Sequence, residues 1–286
     1  MKQAMIGILI ILLGAGVWYF FSTSTTQIEA PPPAQPVVIE RPEPVQMPEP
    51  KPEPDLPAIA MEEPPTVEPE PAVEAEPLPL LGDSDAVVLT SLNDLLGEPA
   101  VMQFVLSEDV ISRFVASVDA LTSRQVPGQI MAVQSLGGEF EAKADLQPDS
   151  LILNEEGDPI PQFELDSRNF QRYSSQVELL EAVNAGELFA LYQRLSPLFD
   201  QAWADLGYPK GSFDERLLVV IDSLLATPDA QAPIRLIKPE AFYLFADPEL
   251  EALPAGQKVL LRMGSTNAGR VKAKLQEIRD LLVAAG

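Results

Sequence analysis

Two aspartates lie inside apolar stretches of this sequence, Asp119 in SVDAL and Asp222 in VVIDSLL. A carboxylate in such a place costs several kcal/mol unless a donor meets it, so each should pair with an arginine or an amide. Arg113, Arg172, Arg194, Arg216 and Arg262 are the available partners, and ion pairs that fix helix packing are the expected outcome. The other chemistry such acids could do is general acid–base work on a glycan, with Glu215, Asp222, Asp247 or Glu249 as the pair. No flanking motif supports that use. A second group, Asp166, Arg168, Asn169, Arg172 and Tyr173, falls within eight residues. Guanidinium forks of this kind can bind a carboxylate or amide ligand, and the same residues can equally close a turn and cap a helix. Lys258, Arg262, Arg270, Lys272, Lys274 and Arg279 make the C-terminal region locally basic. They either complement an acidic fold or form a patch for an acidic partner such as peptidoglycan carboxylates.

What is missing narrows the chemistry further. The chain has no His and no Cys. That removes Ser-His-Asp triads, imidazole acid–base steps, thiol nucleophiles and His- or Cys-ligated zinc. Gly256, Gly264 and Gly269 form neither GxGxxG nor a P-loop, so no nucleotide, cofactor or metal is implied. A formal charge of −24 over 286 residues argues against nucleic acid as a partner, because phosphate neutralisation needs clustered Lys and Arg. These absences favour a binding or scaffolding role over an enzyme.

The elements that must position these residues read as mainly helical (α+β). Helices are expected over 83–96, capped by Asp83 or Ser84 and ended by Gly97, and over 108–122 with Ser107 as cap. Residues 130–163 read as short antiparallel strands, with IMAVQ and EFEAKADL separated by Gly137-Gly138 and a turn at Gly157. Further helices follow over 175–183 and 187–206, the second with Leu188, Leu191, Leu195, Phe199, Ala202 and Leu206 on one face. Pro197 should kink or split it, and Gly207 should end it. Ser212 to Glu215 is a capping box that opens an apolar helix stopping before Pro228. Short strands over 234–237 and 242–245 precede helices over 254–263 and 267–284. The result is a helical C-terminal domain, 80–286, with a small antiparallel sheet.

Five segments within that domain have a familiar look: RFVASVDAL, DSRNFQRY, LYQRLSPLFDQAWADLGYP, FDERLLVVIDSLLATP and FADPELEALPAGQKVLLRMG. In this order they resemble the bacterial family called domain of unknown function 3014, over nearly all of the chain from Leu80 onward. Phe170 stands where that pattern usually has Tyr, and Trp203 where it has another aromatic. The resemblance implies a single-pass envelope protein with a Pro-rich spacer, and no established activity.

The first 79 residues carry no core. Residues 1–3 are short and include Lys2. Residues 4–21 are apolar throughout, about 18 in a row, which as a helix crosses a hydrocarbon layer of about 30 Å. Trp18, Tyr19, Phe20 and Phe21 would form the aromatic belt. Lys2 precedes the run and no Lys or Arg follows until Arg41, so the positive-inside rule puts residues 1–3 in the cytoplasm and the C-terminal domain in the periplasm, across a bacterial inner membrane. The competing reading is a signal peptide cut near Ser22 or Ser24. Residues 22–79 alternate Pro with Glu, without glycine in 31–79, and read as a disordered, extended acidic linker. Such a segment is a passive spacer or a docking strip for basic or SH3-like partners. TonB-type energy couplers share this layout of anchor and spacer, which adds force or signal transmission as another expectation. The reading as a whole is a lipid-anchored module that binds a cell-envelope protein or peptidoglycan. The alternative is a carboxylate-dependent hydrolase of envelope glycans.

Overall fold

The structure, a computed structural model, describes residues 77–124, 139–146, 148, 151–208 and 210–286. The apolar run 4–21, the Pro-Glu segment up to residue 76 and the IMAVQ stretch lie outside them. Among the described residues, no helix is long and apolar enough to cross a membrane.

A 3-10 turn at Leu81–Asp83 leads into α1 (Asp85–Leu96), and Gly97 at φ 81° turns the chain directly into α2 (Glu98–Phe104). Sequence periodicity finds the first of these helices and misses the second, because EPAVMQF is too short to show a stripe. The third helix, α3 (Val110–Ala120), starts two residues later than its pattern suggests and is not capped by Ser107. Asp109 sits at φ 53°, and the amides of Asp109 and Val110 both donate to the carboxylate of Asp85, at 2.8 and 2.9 Å. The cap is therefore supplied from another helix. This places a negative charge at the positive end of α3 and ties α1 to it.

The sheet has four antiparallel strands in chain order: β1 (Ala142–Ala144), β2 (Gln162–Leu165), β3 (Arg235–Ile237) and β4 (Leu244–Phe245). Lys143 faces Glu164, Phe163 faces Leu236, and Leu236 faces Phe245 across the ladder. Between β2 and β3 the chain builds α4 (Arg168–Arg172), α5 (Ser174–Ala182), α6 (Ala185–Asp205) and α7 (Phe213–Leu225). After β4 come the single turn α8 (Pro248–Glu251), then α9 (Ala255–Arg262) and the long α10 (Gly264–Ala285).

Asn184 starts α6 by accepting from the amides of Gly186 and Glu187, two residues before the expected start. Pro197 does not split this helix, which runs unbroken through it. Leu195, Leu198 and Phe199 are buried on either side of the proline, and packing on α3 and α10 holds the turns that a lone helix would lose there. Leu206, expected on the inner face, lies exposed beyond the end of the helix. Ser212 caps α7 by accepting from the Glu215 amide at 3.3 Å.

Two apolar clusters result. The larger lies among α1, α2, α3, α5, α6, α7, α9 and α10, around Phe114, Phe199 and Phe213, whose ring centroids are 5.3 to 5.8 Å apart. The smaller, Leu165, Leu236, Phe245 and Leu261, joins one face of the sheet to α9. Leu78 and Leu81 already pack against the larger cluster.

Candidate functional site

The polar group at 166–173 lies where β2 turns into α4, the seam between sheet and helices. Asp166 leaves the strand, and its carboxylate accepts from the amide and the guanidinium of Arg168, at 2.9 and 3.0 Å. That guanidinium also lies 3.2 Å from Glu141. Arg168 holds the Asp166 carboxyl below the usual carboxylate range, chiefly through its hydrogen bond. Asn169 is 1% exposed. Its Oδ1 accepts from the Glu141 amide at 3.0 Å, and its Nδ2 donates to the carbonyls of Glu141 and Asp166. Its amide thus reinforces the ladder beyond Ala142, where the Asp166 amide also donates to the Glu141 carbonyl at 3.3 Å. Arg172 donates to the same Oδ1 at 3.4 Å. Tyr173 is buried, which raises its phenol, and the nearby Arg262 and Arg172 oppose that rise only in part. The structure therefore brings the five residues together, with Asp166 and Asn169 engaged in closing the turn.

Arg262 is 6% exposed and sits between the two clusters. Its guanidinium lies over Phe245 at 5.2 Å and Phe140 at 5.9 Å, and donates to the Tyr243 carbonyl at 3.5 Å. Burial lowers its pKa, against the attraction of Tyr173 and Glu251. Aromatic faces and a backbone carbonyl thus surround this cation, and Glu251 attracts it.

Of the two aspartates in apolar runs, Asp119 is half-buried and pairs with Arg216 at 2.7 Å. The same guanidinium also donates to the Asp119 carbonyl at 2.9 Å and to Thr122 Oγ1 at 2.5 Å, locking α7 to the end of α3. Asp222 differs from expectation. Its side chain is 53% exposed and pairs with Arg279 of α10 at 2.6 Å, because the helix turns that position outward from the apolar stripe. Arg113 is half-buried on α3.

The acids considered for glycan chemistry fall in two pairs, one on α7 and one at the start of α8. Glu215 is in the first turn of α7 and Asp222 near its end, while Asp247 caps α8 by accepting from the Glu249 amide at 2.8 Å. Among the described residues, no group of acids could hold a metal ion.

The C-terminal cations are likewise engaged within the fold. Lys258 donates to Glu251 at 2.7 Å, Lys272 to the Thr227 carbonyl at 2.6 Å, and Lys274 to the Val183 carbonyl at 3.1 Å and to Glu277 at 2.8 Å. Arg270 forks onto Glu181. These bonds fasten α10 to α5 and to the end of α7, so a run of basic sequence becomes a set of interhelical rivets.

One polar constellation escapes the sequence entirely. The Tyr192 hydroxyl donates to Asp214 in a short hydrogen bond beside the aromatic core, and burial followed by that bond pushes the phenol far up. Asp200 accepts from the Phe213 amide at 2.9 Å. Both links cross the α6–α7 turn. Only the closeness of the capping box to the end of α6 could hint at them.

Beside Asp166 opens a cleft of ≈ 520 Å³ walled by β2, the α4 turn, segment 230–234 and the first turn of α10. Gly264, at φ 82°, lets the Phe170 ring lie against the backbone on that wall, since a Cβ there would come within 2.8 Å of it. Asn267 donates to the Phe170 carbonyl at 2.9 Å and so holds α4 on α10.

Residues 110–279 match the family described as protein of unknown function, DUF3014. No curated protein and no solved structure matches the chain.

Proposed function

Since this chain belongs to the DUF3014 family, which brings no activity with it, we propose a role from layout and site together: a single-pass envelope protein whose C-terminal domain binds or scaffolds another envelope component. The observation that carries this reading is the asymmetry about residues 4–21. That apolar run is long enough to span, Lys2 precedes it, and acids with no Lys or Arg before Arg41 follow it. The rule that cationic flanks stay in the cytoplasm then puts the domain on the far side. Between them, the Pro-Glu run resists collapse through fixed proline φ angles and mutual repulsion of its carboxylates, which suits a spacer. Binding is favoured over hydrolysis because Asp222 and Asp247 already have partners within the fold.

The test is a pair of C-terminal fusions, one to a reporter enzyme active only outside the cytosol and one to a reporter active only inside it. The first should be active and the second silent, with the full-length chain in the membrane fraction. The reverse pattern, or a mature product lacking residues 1–24, overturns the reading. Crosslinking on intact cells should then join the domain to one envelope component, and absence of any adduct removes the binding role.

A further inference from the structure

Between β1 and β2, residues 151–161 fold back on themselves as a two-stranded ribbon. The Ile160 amide donates to the Ile152 carbonyl at 2.8 Å, Leu153 bridges Pro159, and the Asn154 amide donates to the Asp158 carbonyl at 2.9 Å. Asn154 Oδ1 closes the turn by accepting from the Asp158 amide at 2.7 Å. This register sets Ile152 opposite Ile160 on one face, and gathers Leu151, Leu153, Pro159 and Pro161 on the other.

The fold treats the two faces differently. Ile152 and Ile160 are half-buried, and Ile152 walls a cleft of ≈ 540 Å³ together with Gln162, Arg235 and Ala246. Leu151 is 67% and Leu153 54% exposed, and Pro159 and Pro161 are exposed beside them. A ribbon seated on a domain by one face ordinarily carries polar residues on the other. Here both faces are apolar, Leu-Ile-Leu going out and Pro-Ile-Pro coming back. Apolar side chains gathered on one exposed face, rather than scattered singly, mark an interaction surface.

Charge selects what covers it. The tip holds Glu155, Glu156 and Asp158, all exposed, and no Lys or Arg occurs between Lys143 and Arg168. A second copy of a chain of net charge −24 would bring like charge to that tip, and its C-terminal cations are engaged by its own helices. An anionic lipid surface and the carboxylates of peptidoglycan would be repelled in the same way.

We propose that the outer face of this ribbon docks on a protein partner whose surface offers an apolar groove to Leu151 and Leu153, with Lys or Arg at the end that meets the tip. This surface gives the binding role above its place and its class of partner, and rests on that role.

A photoreactive phenylalanine analogue tests it, placed at Leu153 or at Pro159 of the full-length chain in its native cells, with Gln276, exposed on α10, as the reference position. Both ribbon positions should give the same protein adduct, and the reference none. Glu155→Lys combined with Glu156→Lys should lower the adduct from position 153 about tenfold, by setting cation against cation. Leu151→Ser should lower it similarly while the melting temperature stays at that of the parent, because this side chain already lies in water. A lipid or glycan adduct, an adduct of twice the chain's mass, equal labelling from Gln276, or indifference to the charge reversal overturns the surface. A lower melting temperature with Leu151→Ser assigns that leucine to the fold and overturns it too. If a general crosslinker joins the domain to a component that both ribbon probes miss, the binding role stands and the ribbon falls. If no crosslinker finds any component, the binding role falls and takes the ribbon with it.

Discussion

Asn169 serves as a surrogate strand residue, since one amide side chain meets both backbone groups of Glu141 and the carbonyl of Asp166 in a buried position. Removing it leaves the Glu141 amide without this partner and takes one of two donors from the carbonyls of Glu141 and Asp166. Asn169→Ala should therefore cost about 2–3 kcal/mol in urea unfolding, and Asn169→Asp should cost no less, because it loses both donations and sets a carboxylate against two carbonyls. A midpoint within error of the parent would show that the amide is dispensable. Arg216 makes a comparable argument through charge. Its fork reaches the Asp119 carboxylate, the Asp119 carbonyl and Thr122, with both charged side chains under a quarter exposed. Arg216→Lys keeps the charge but not the fork, and should cost about 1–2 kcal/mol. Arg216→Ala and Asp119→Ala combined should cost less than the sum of the two, because each removes the same contact. Strict additivity in that cycle would mean the pair contributes nothing jointly.

At the scale of elements, the helices with long apolar stripes were legible because period 3.6 survives in α3, α6, α7 and α10, and Val271, Leu275, Ile278 and Leu282 are buried as their spacing requires. The strands of 142–144, 235–237 and 244–245 were legible from their flanking turns, whereas 162–165 runs past the end of the region read as strands. What sequence could not show was anything supplied across space. The cap of α3 comes from Asp85, 24 positions earlier, and the continuity of α6 through Pro197 comes from its neighbours. Sequence left the basic C-terminal run open between a complement to the acidic fold and a patch, because its partners, Glu181, Val183, Thr227 and Asp222, lie far off in the chain. The candidate site was half legible: the junction at 166–173 was, and the cleft beside it was not, since its walls come from four separated segments. The Glu181–Arg270 fork joins α5 to α10 and makes a test by pH. Arg270 holds the Glu181 carboxyl below its ordinary range, so the fork stabilises fully above that range and is lost as pH falls through the lower folded value. Acidification also relieves repulsion in a chain of net charge −24, so the parent alone is a poor reporter. The melting-temperature gap between parent and Glu181→Gln should instead be largest near neutral pH and close as pH falls through and below the ordinary carboxylate range. A gap that stays constant, or widens in acid, would remove the fork from the account.

For the whole molecule, the family match and the folded unit do not share a boundary. The match begins at residue 110, the first residue of α3, yet the core begins earlier. Val88 and Leu92 of α1 and Val101 and Phe104 of α2 are buried in the larger cluster, and Leu78 and Leu81 pack on it from the approach segment. Asp85 supplies the α3 cap from the same region. Each large apolar side chain removed from a core costs about 2–5 kcal/mol, while a domain of this size is stable by only about 5–15 kcal/mol. Loss of four such residues together with a cap exceeds that margin. A chain starting at residue 78 should therefore melt cooperatively at the temperature of the full protein, since nothing in the core precedes Leu78 among the described residues. A chain starting at residue 110 should show no cooperative transition and should expose the Phe114 face of α3 to solvent and to aggregation. Circular dichroism melts of the two truncations decide it. If the shorter one melts like the longer, α1 and α2 are an appendage. If it does not, α1 and α2 are part of the domain's own core, to which the turn at Leu81–Asp83 adds its contact with α6.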